Sequence, residues 1–164
     1  MAFQSHDFTL DENNRLTAAI SATTAGTRVV GTVASIDLGQ VAPGFNVNTS
    51  STSPHGRFAV VCDWTTCKTS AGNENYVIAL EGSNTTDFTN TFRLGTMLIG
   101  HSSTAGSATS APPNSRRVFY ADNTFHASAT DGAALATTRY VRLAVTPGGT
   151  SPSISISGAW LCAL

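Results

Sequence analysis

Arg57–Trp64 reads RFAVVCDW and Asn75–Glu81 reads NYVIALE, and these two stretches decide the fold. In the second, Tyr76, Ile78 and Leu80 alternate with Val77, Ala79 and Glu81. That period of two is the pattern of a strand with one buried side. The first is apolar almost without a break and is rich in valine and aromatic side chains, which suit a pleated surface. Ala71-Gly72-Asn73 lies between them and reads as a hairpin turn.

The same grammar extends outward. Arg139–Thr146 (RYVRLAVT) puts Val141, Leu143 and Val145 on one face and Tyr140, Arg142 and Ala144 on the other. Pro147-Gly148-Gly149 turns the chain, Ser153–Ser157 (SISIS) alternates, and Gly158–Leu164 reads as a further strand. Upstream, Arg28–Ser35 is valine-rich and Ile36–Gly39 continues it; Phe88–Gly100 supplies one or two strands with Leu94, Met97 and Ile99 as core candidates, and Arg116–Ala121 another. Residues 40–56 and 101–115 are Ser/Thr/Gly/Pro-rich and read as long loops. Residues 1–28 are polar and weakly patterned; Leu16 and Ile20 have helical spacing, but Thr17, Ser21, Thr23 and Thr24 dilute it. They read as an extended arm with at most one helical turn, or as disorder. The organisation expected is an N-terminal arm over 1–28 and one β-sandwich domain over 29–164. About seven to nine short strands with turn signals between them predict an all-β antiparallel sandwich or jelly roll.

Composition narrows the function. Charged residues are 12% of the chain, against roughly 25% in ordinary soluble domains. Ser and Thr together make up about a quarter, well above the usual background. Such a surface is cheap to desolvate, which suits a protein covered by neighbours. With a net charge of −1 there is no basic excess for a nucleic-acid backbone, and Arg116–Arg117 reads as a strand-start pair on a rim. No stretch reaches the roughly 18 apolar residues of a membrane span. Met1–Asp7 has neither a basic nor an apolar run, so synthesis in the cytoplasm is expected.

Residues capable of chemistry do not converge in the sequence. Asp11, Glu12, Asp87, Asp122 and Asp131 fall in turns, and nothing marks Glu81 and Asp63, which close strands, as a catalytic pair. His6, His55, His101 and His126 sit in loops or at strand edges without metal-ligand spacing. No nucleophile elbow or glycine-rich phosphate loop is present. Cys62 and Cys67 are spaced so that they could bridge a strand end to a turn, but an odd total with Cys162 favours free thiols. The chain is therefore expected not to be an enzyme and to use no cofactor or metal. Trp64 and Trp160 are candidates for the core or a subunit seam, or for stacking on sugar rings, which keeps a carbohydrate- or receptor-binding module on a virion as the alternative.

Residues 35–164 resemble the capsid cement (decoration) proteins of tailed bacteriophages. The resemblance runs through Ile36-Asp37-Leu38-Gly39, Phe58-Ala59-Val60-Val61, Tyr76–Ser83, Thr91-Phe92-Arg93-Leu94-Gly95, Thr138–Leu143 and Ile156-Ser157-Gly158-Ala159-Trp160-Leu161, in that order. The loops at 40–56 and 101–115 are longer than the family pattern. The resemblance implies a structural virion protein with a sandwich or jelly-roll fold, assembled as a homotrimer, gripping the major capsid protein on the outer capsid surface, with no catalytic residues. On that reading the contact candidates are Phe3, Phe8 and Leu10 in the arm, with Phe45, Trp64 and Phe125 at seams; Phe119 and Tyr120 are further seam or core aromatics.

Overall fold

The computed structural model describes residues 14–32, 35–38, 57–69, 73–100, 113–122, 124–126 and 135–163. The described residues form twelve strands: β1 (Arg15–Thr17), β2 (Ile20–Ala22), β3 (Val29–Val30), β4 (Ile36–Asp37), β5 (Arg57–Cys67), β6 (Asn75–Ser83), β7 (Phe92–Gly100), β8 (Ser115–Asp122), β9 (Thr124–His126), β10 (Leu135–Thr137), β11 (Tyr140–Gly148) and β12 (Ile154–Ala163). Among the described residues there is no α-helix, and the expected all-β antiparallel sandwich is what forms. The first sheet runs β1-β12-β5-β8, with β2 also on β12; the second runs β3-β11-β6-β7, with β4 also on β11. β9 and β10 pair as a separate two-stranded ribbon.

The inward faces follow from the alternation. Phe58, Val60, Cys62 and Trp64 of β5 meet Tyr76, Ile78 and Leu80 of β6, Val141, Leu143 and Val145 of β11, and Ile154, Ile156 and Leu161 of β12 in one buried core. Burying a side chain of this size contributes about 1.5–3 kcal/mol, so this layer drives folding. Tyr76 is fully buried, and its hydroxyl donates to the Lys68 carbonyl at 2.6 Å while accepting from the Ser153 N–H at 2.8 Å. One core tyrosine thus ties together two connections at the same end of the sandwich.

The structure corrects four expectations. β5 and β6 do not form a hairpin: they lie in different sheets, so the chain crosses the sandwich between them. Alternation reports which side of a strand is buried but is silent on which sheet it joins. The boundary at residue 28 also fails, because Leu16, Ile20 and Ala22 are buried core residues on β1 and β2, both paired to β12. Strands of three residues amid Thr and Ser carry too little period to be read. Ser153–Ser157 and Gly158–Leu164 are one strand, β12, whose register with β5 shifts between Ser155 and Gly158; such a bulge inserts a residue and interrupts the alternation. Finally, Trp64 is 1% exposed within the chain's own core, so its indole is unavailable as a contact.

All three cysteines are free and buried. Cys62 and Cys67 stand five positions apart on one strand, roughly 16 Å along an extended chain, beyond the reach of a disulfide. Burial raises both thiols, Cys67 to about 11.

Candidate functional site

With the core accounted for, the outer faces of the two sheets carry whatever this chain presents to other molecules. The second sheet's outer face follows from register. One row runs Val30, Ala144, Ala79, Thr96, and the next Thr146, Val77, Leu98. The paired residues of both rows are uncharged; Arg28, two residues before Val30 on the same face, reaches from the β3 side to Glu81. Val30 is 39% and Leu98 65% exposed, two of the three large hydrophobics exposed among the described residues.

The neighbouring row is the opposite in character. Glu81 stands between Arg142 on β11 and Arg93 on β7. Its carboxylate is almost wholly buried; it accepts from Arg28 Nε at 2.7 Å, from a second Arg28 nitrogen, and from Arg142 Nε at 3.2 Å. The Arg142 guanidinium lies 3.9 Å from the centroid of the Phe88 ring. Phe88 occupies the β6–β7 connection at φ 55° yet is buried. A non-glycine residue at positive φ costs on the order of 1 kcal/mol, which ring burial and the cation–π contact offset.

The first sheet's outer face is built differently. Val61 has Trp160 and Val118 beside it, and Ala59 has Cys162 and Tyr120. Ala59, Val61 and Cys162, with Val118 and Trp160 packed against them, make a second, smaller apolar cluster in which Ala59 and Val61 are buried, so β5 is covered on both sides. Trp160 is half-buried: its indole lies against Gly158, where a Cβ would collide with the ring, and Arg15 sits 5.4 Å from its centroid. Its Nε1–H is buried without a hydrogen-bond partner. On the next row Asp63 accepts two bonds from Arg116, both at 2.7 Å, in an exposed pair.

At the end of this face lies an open groove of about 500 Å3 lined by Arg57, Leu94, Tyr120, Ala121 and Asp122. Arg57 is the cross-strand partner of Asp122, and Tyr120 is two residues before Asp122, so these three share the outer face. Leu94 of β7 and Ala121, which faces the core side of β8, complete the lining. The sheets converge there because residue 95 is glycine: a Cβ would stand 2.6 Å from the Tyr120 carbonyl oxygen and 2.7 Å from Ala121 Cβ. Tyr120 is 67% exposed.

Glu81 and Asp63 point from opposite sheets, each onto arginine, so they do not converge as a carboxylate pair. Glu74 is fully buried, with Lys68 Nζ 3.7 Å from Oε1. Among the described residues no three His, Cys, Asp or Glu side chains are grouped to hold a metal, and no helix is long and apolar enough to cross a membrane. Of the contact candidates read from sequence, Phe3, Phe8, Leu10 and Phe45 lie outside the described residues, as does the side chain of Phe125 on β9. Sequence reasoning missed the Val30–Leu98 patch, which exists only once register sets four strands side by side. It named Tyr120 but had no signal for its exposure.

No family model matches the chain, and neither a curated protein nor a solved structure matches it.

Proposed function

We propose that this protein is a structural module that acts by covering surface, decorating and cementing a bacteriophage capsid through contacts with the lattice of its major capsid protein. The observation that carries the reading is the pair of exposed large hydrophobics Val30 and Leu98, at opposite ends of neighbouring rows whose other members, Ala144, Ala79, Thr96, Thr146 and Val77, are uncharged, with Ala144 and Ala79 buried between them. Interface centres are depleted in charge and carry exposed apolar side chains. The sequence resemblance set out above points the same way. The strand order supports a jelly roll: with β1/β2 and β3/β4 each counted as one position, the two sheets hold eight positions joined mostly by crossings between sheets, an architecture found in both viral capsid and lectin domains.

A cement protein stabilises a shell because it binds the assembled lattice more tightly than free subunits, which shifts the equilibrium toward assembly. Symmetric copies, a homotrimer on this reading, multiply that effect. The test is co-sedimentation of the purified protein with capsids lacking their decoration protein, alongside L98E. Saturable binding that L98E weakens at least tenfold is the expected result. The absence of saturable binding by the wild-type chain would overturn the proposal.

The alternative, a carbohydrate-binding module, has one specific observation in its favour. Trp64 is in the core and Trp160 is packed under Arg15, but Tyr120 is exposed beside a groove.

A further inference from the structure

We infer that the groove at the end of β8 is a binding subsite for a single neutral sugar ring. Its lining combines the three features that such a ligand needs. Tyr120 offers an exposed aromatic face, able to cover the apolar C–H side of a pyranose. Arg57 and Asp122 stand opposite each other on adjacent strands on the same outer face. A guanidinium offers N–H donors and a carboxylate offers acceptors with lone pairs to spare, the complement of adjacent hydroxyls that both donate and accept. Leu94 and Ala121 close the far wall with apolar surface.

Charge selects among ligand classes. Among the described lining residues the charges of Arg57 and Asp122 cancel formally, which favours a neutral ligand over a phosphate or a cation. Its volume of about 500 Å3 falls in the range of small-molecule sites and exceeds what one ring fills. A residue within a longer glycan therefore fits it better than a free monosaccharide. Spacing agrees: Tyr120 and Asp122 are about 7 Å apart along the strand, which lets a ring rest on the one while its edge reaches the other.

This site does not depend on the cement reading. The patch that reading uses lies on the outer face of the opposite sheet, so a copy docked through Val30 and Leu98 would turn Tyr120 and its groove outward.

The experiment is a titration of the full chain, followed by two-dimensional NMR, with the methyl glycosides of glucose, galactose and mannose and with their oligosaccharides. Inorganic phosphate and a proline-rich peptide serve as comparison ligands. Expected are shifts confined to Arg57, Leu94, Tyr120, Ala121 and Asp122, with dissociation constants on the order of 1 mM for single rings. Y120A should weaken binding at least tenfold, D122N severalfold, and Y120F should retain it, which separates stacking from any loss of fold. The inference is overturned if no glycoside shifts these residues, if Y120A binds as the wild type does, or if phosphate or the peptide binds there in preference. Loss of capsid binding by L98E with glycoside binding intact would separate the two surfaces.

Discussion

The two outer faces share one architecture, four strand positions over a common core, and differ in how they treat charge. On the second sheet a buried carboxylate, Glu81, gathers Arg142 from its own row and the exposed Arg28 from the β3 side, and the two rows beside it pair only uncharged residues. On the first sheet the ion pair Asp63–Arg116 stays in solvent, and the apolar side chains gather in a cluster of their own under Trp160. One face is left smooth and suited to covering, the other rough and aromatic.

The largest effect expected from this difference is at Glu81. Its side chain is 9% exposed and that of Arg142 is 14% exposed, so E81A strands a guanidinium with little access to water. Breaking a buried pair from one side costs about 3–5 kcal/mol. D63A removes a carboxylate with equally short bonds from a pair whose arginine is 55% exposed, and exposed pairs contribute about 0–1 kcal/mol. Urea unfolding of the two variants measures the contrast directly. Equal losses would show that the Glu81 row is solvated after all, and the distinction between the faces would collapse.

A smaller effect is expected where the first face covers itself. Gly158 leaves room for the Trp160 indole, and any Cβ there meets the ring. G158A must swing the indole away from β12 or displace the strand; overpacking of this kind costs about 1–3 kcal/mol. If the ring moves, the Trp160 Nε1 proton, now buried without an acceptor, gains water and exchanges faster. A G158A protein with unchanged stability and unchanged Nε1 exchange would mean that the indole does not rest on this glycine.

How much of this could be read from the chain follows the same physics. β6, β11 and the Phe58–Trp64 part of β5 were legible because each alternates, or is apolar, over a run longer than any turn. β1 to β4 were not, since strands of two or three residues give no period, and Leu16 and Ile20 mimic helical spacing. The crossing from β5 to β6 was illegible because a turn-forming triplet serves a hairpin or an arch between sheets alike. Cross-strand neighbours escape for a further reason. Glu81 and Arg142 are 61 positions apart, and Asp63 and Arg116 are 53 apart; only the topology sets them side by side. The smooth patch and the Tyr120 groove are likewise products of register.

The last and most local expectation concerns the connection that holds Phe88 against Arg142. Asp87 there accepts from the Thr85 hydroxyl at 2.6 Å, the Thr89 hydroxyl at 2.7 Å and the Thr89 N–H at 3.0 Å. These bonds favour the carboxylate and lower its pKa from 3.8 to about 2, the Thr85 hydroxyl contributing most. Because the folded value lies below the unfolded one, the contribution is complete above about pH 4 and fades as the pH falls toward 2. A carboxyl-carbon NMR titration should therefore place the Asp87 midpoint near 2, and T85V should move it up toward the ordinary value. Across the same range the Thr89 amide should lose protection from exchange before the strands do, since the turn can release while β6 and β7 stay paired. A midpoint at the ordinary carboxylate value would mean that the threonines do not hold Asp87. The positive φ of Phe88 would then rest on its own burial and the Arg142 contact alone.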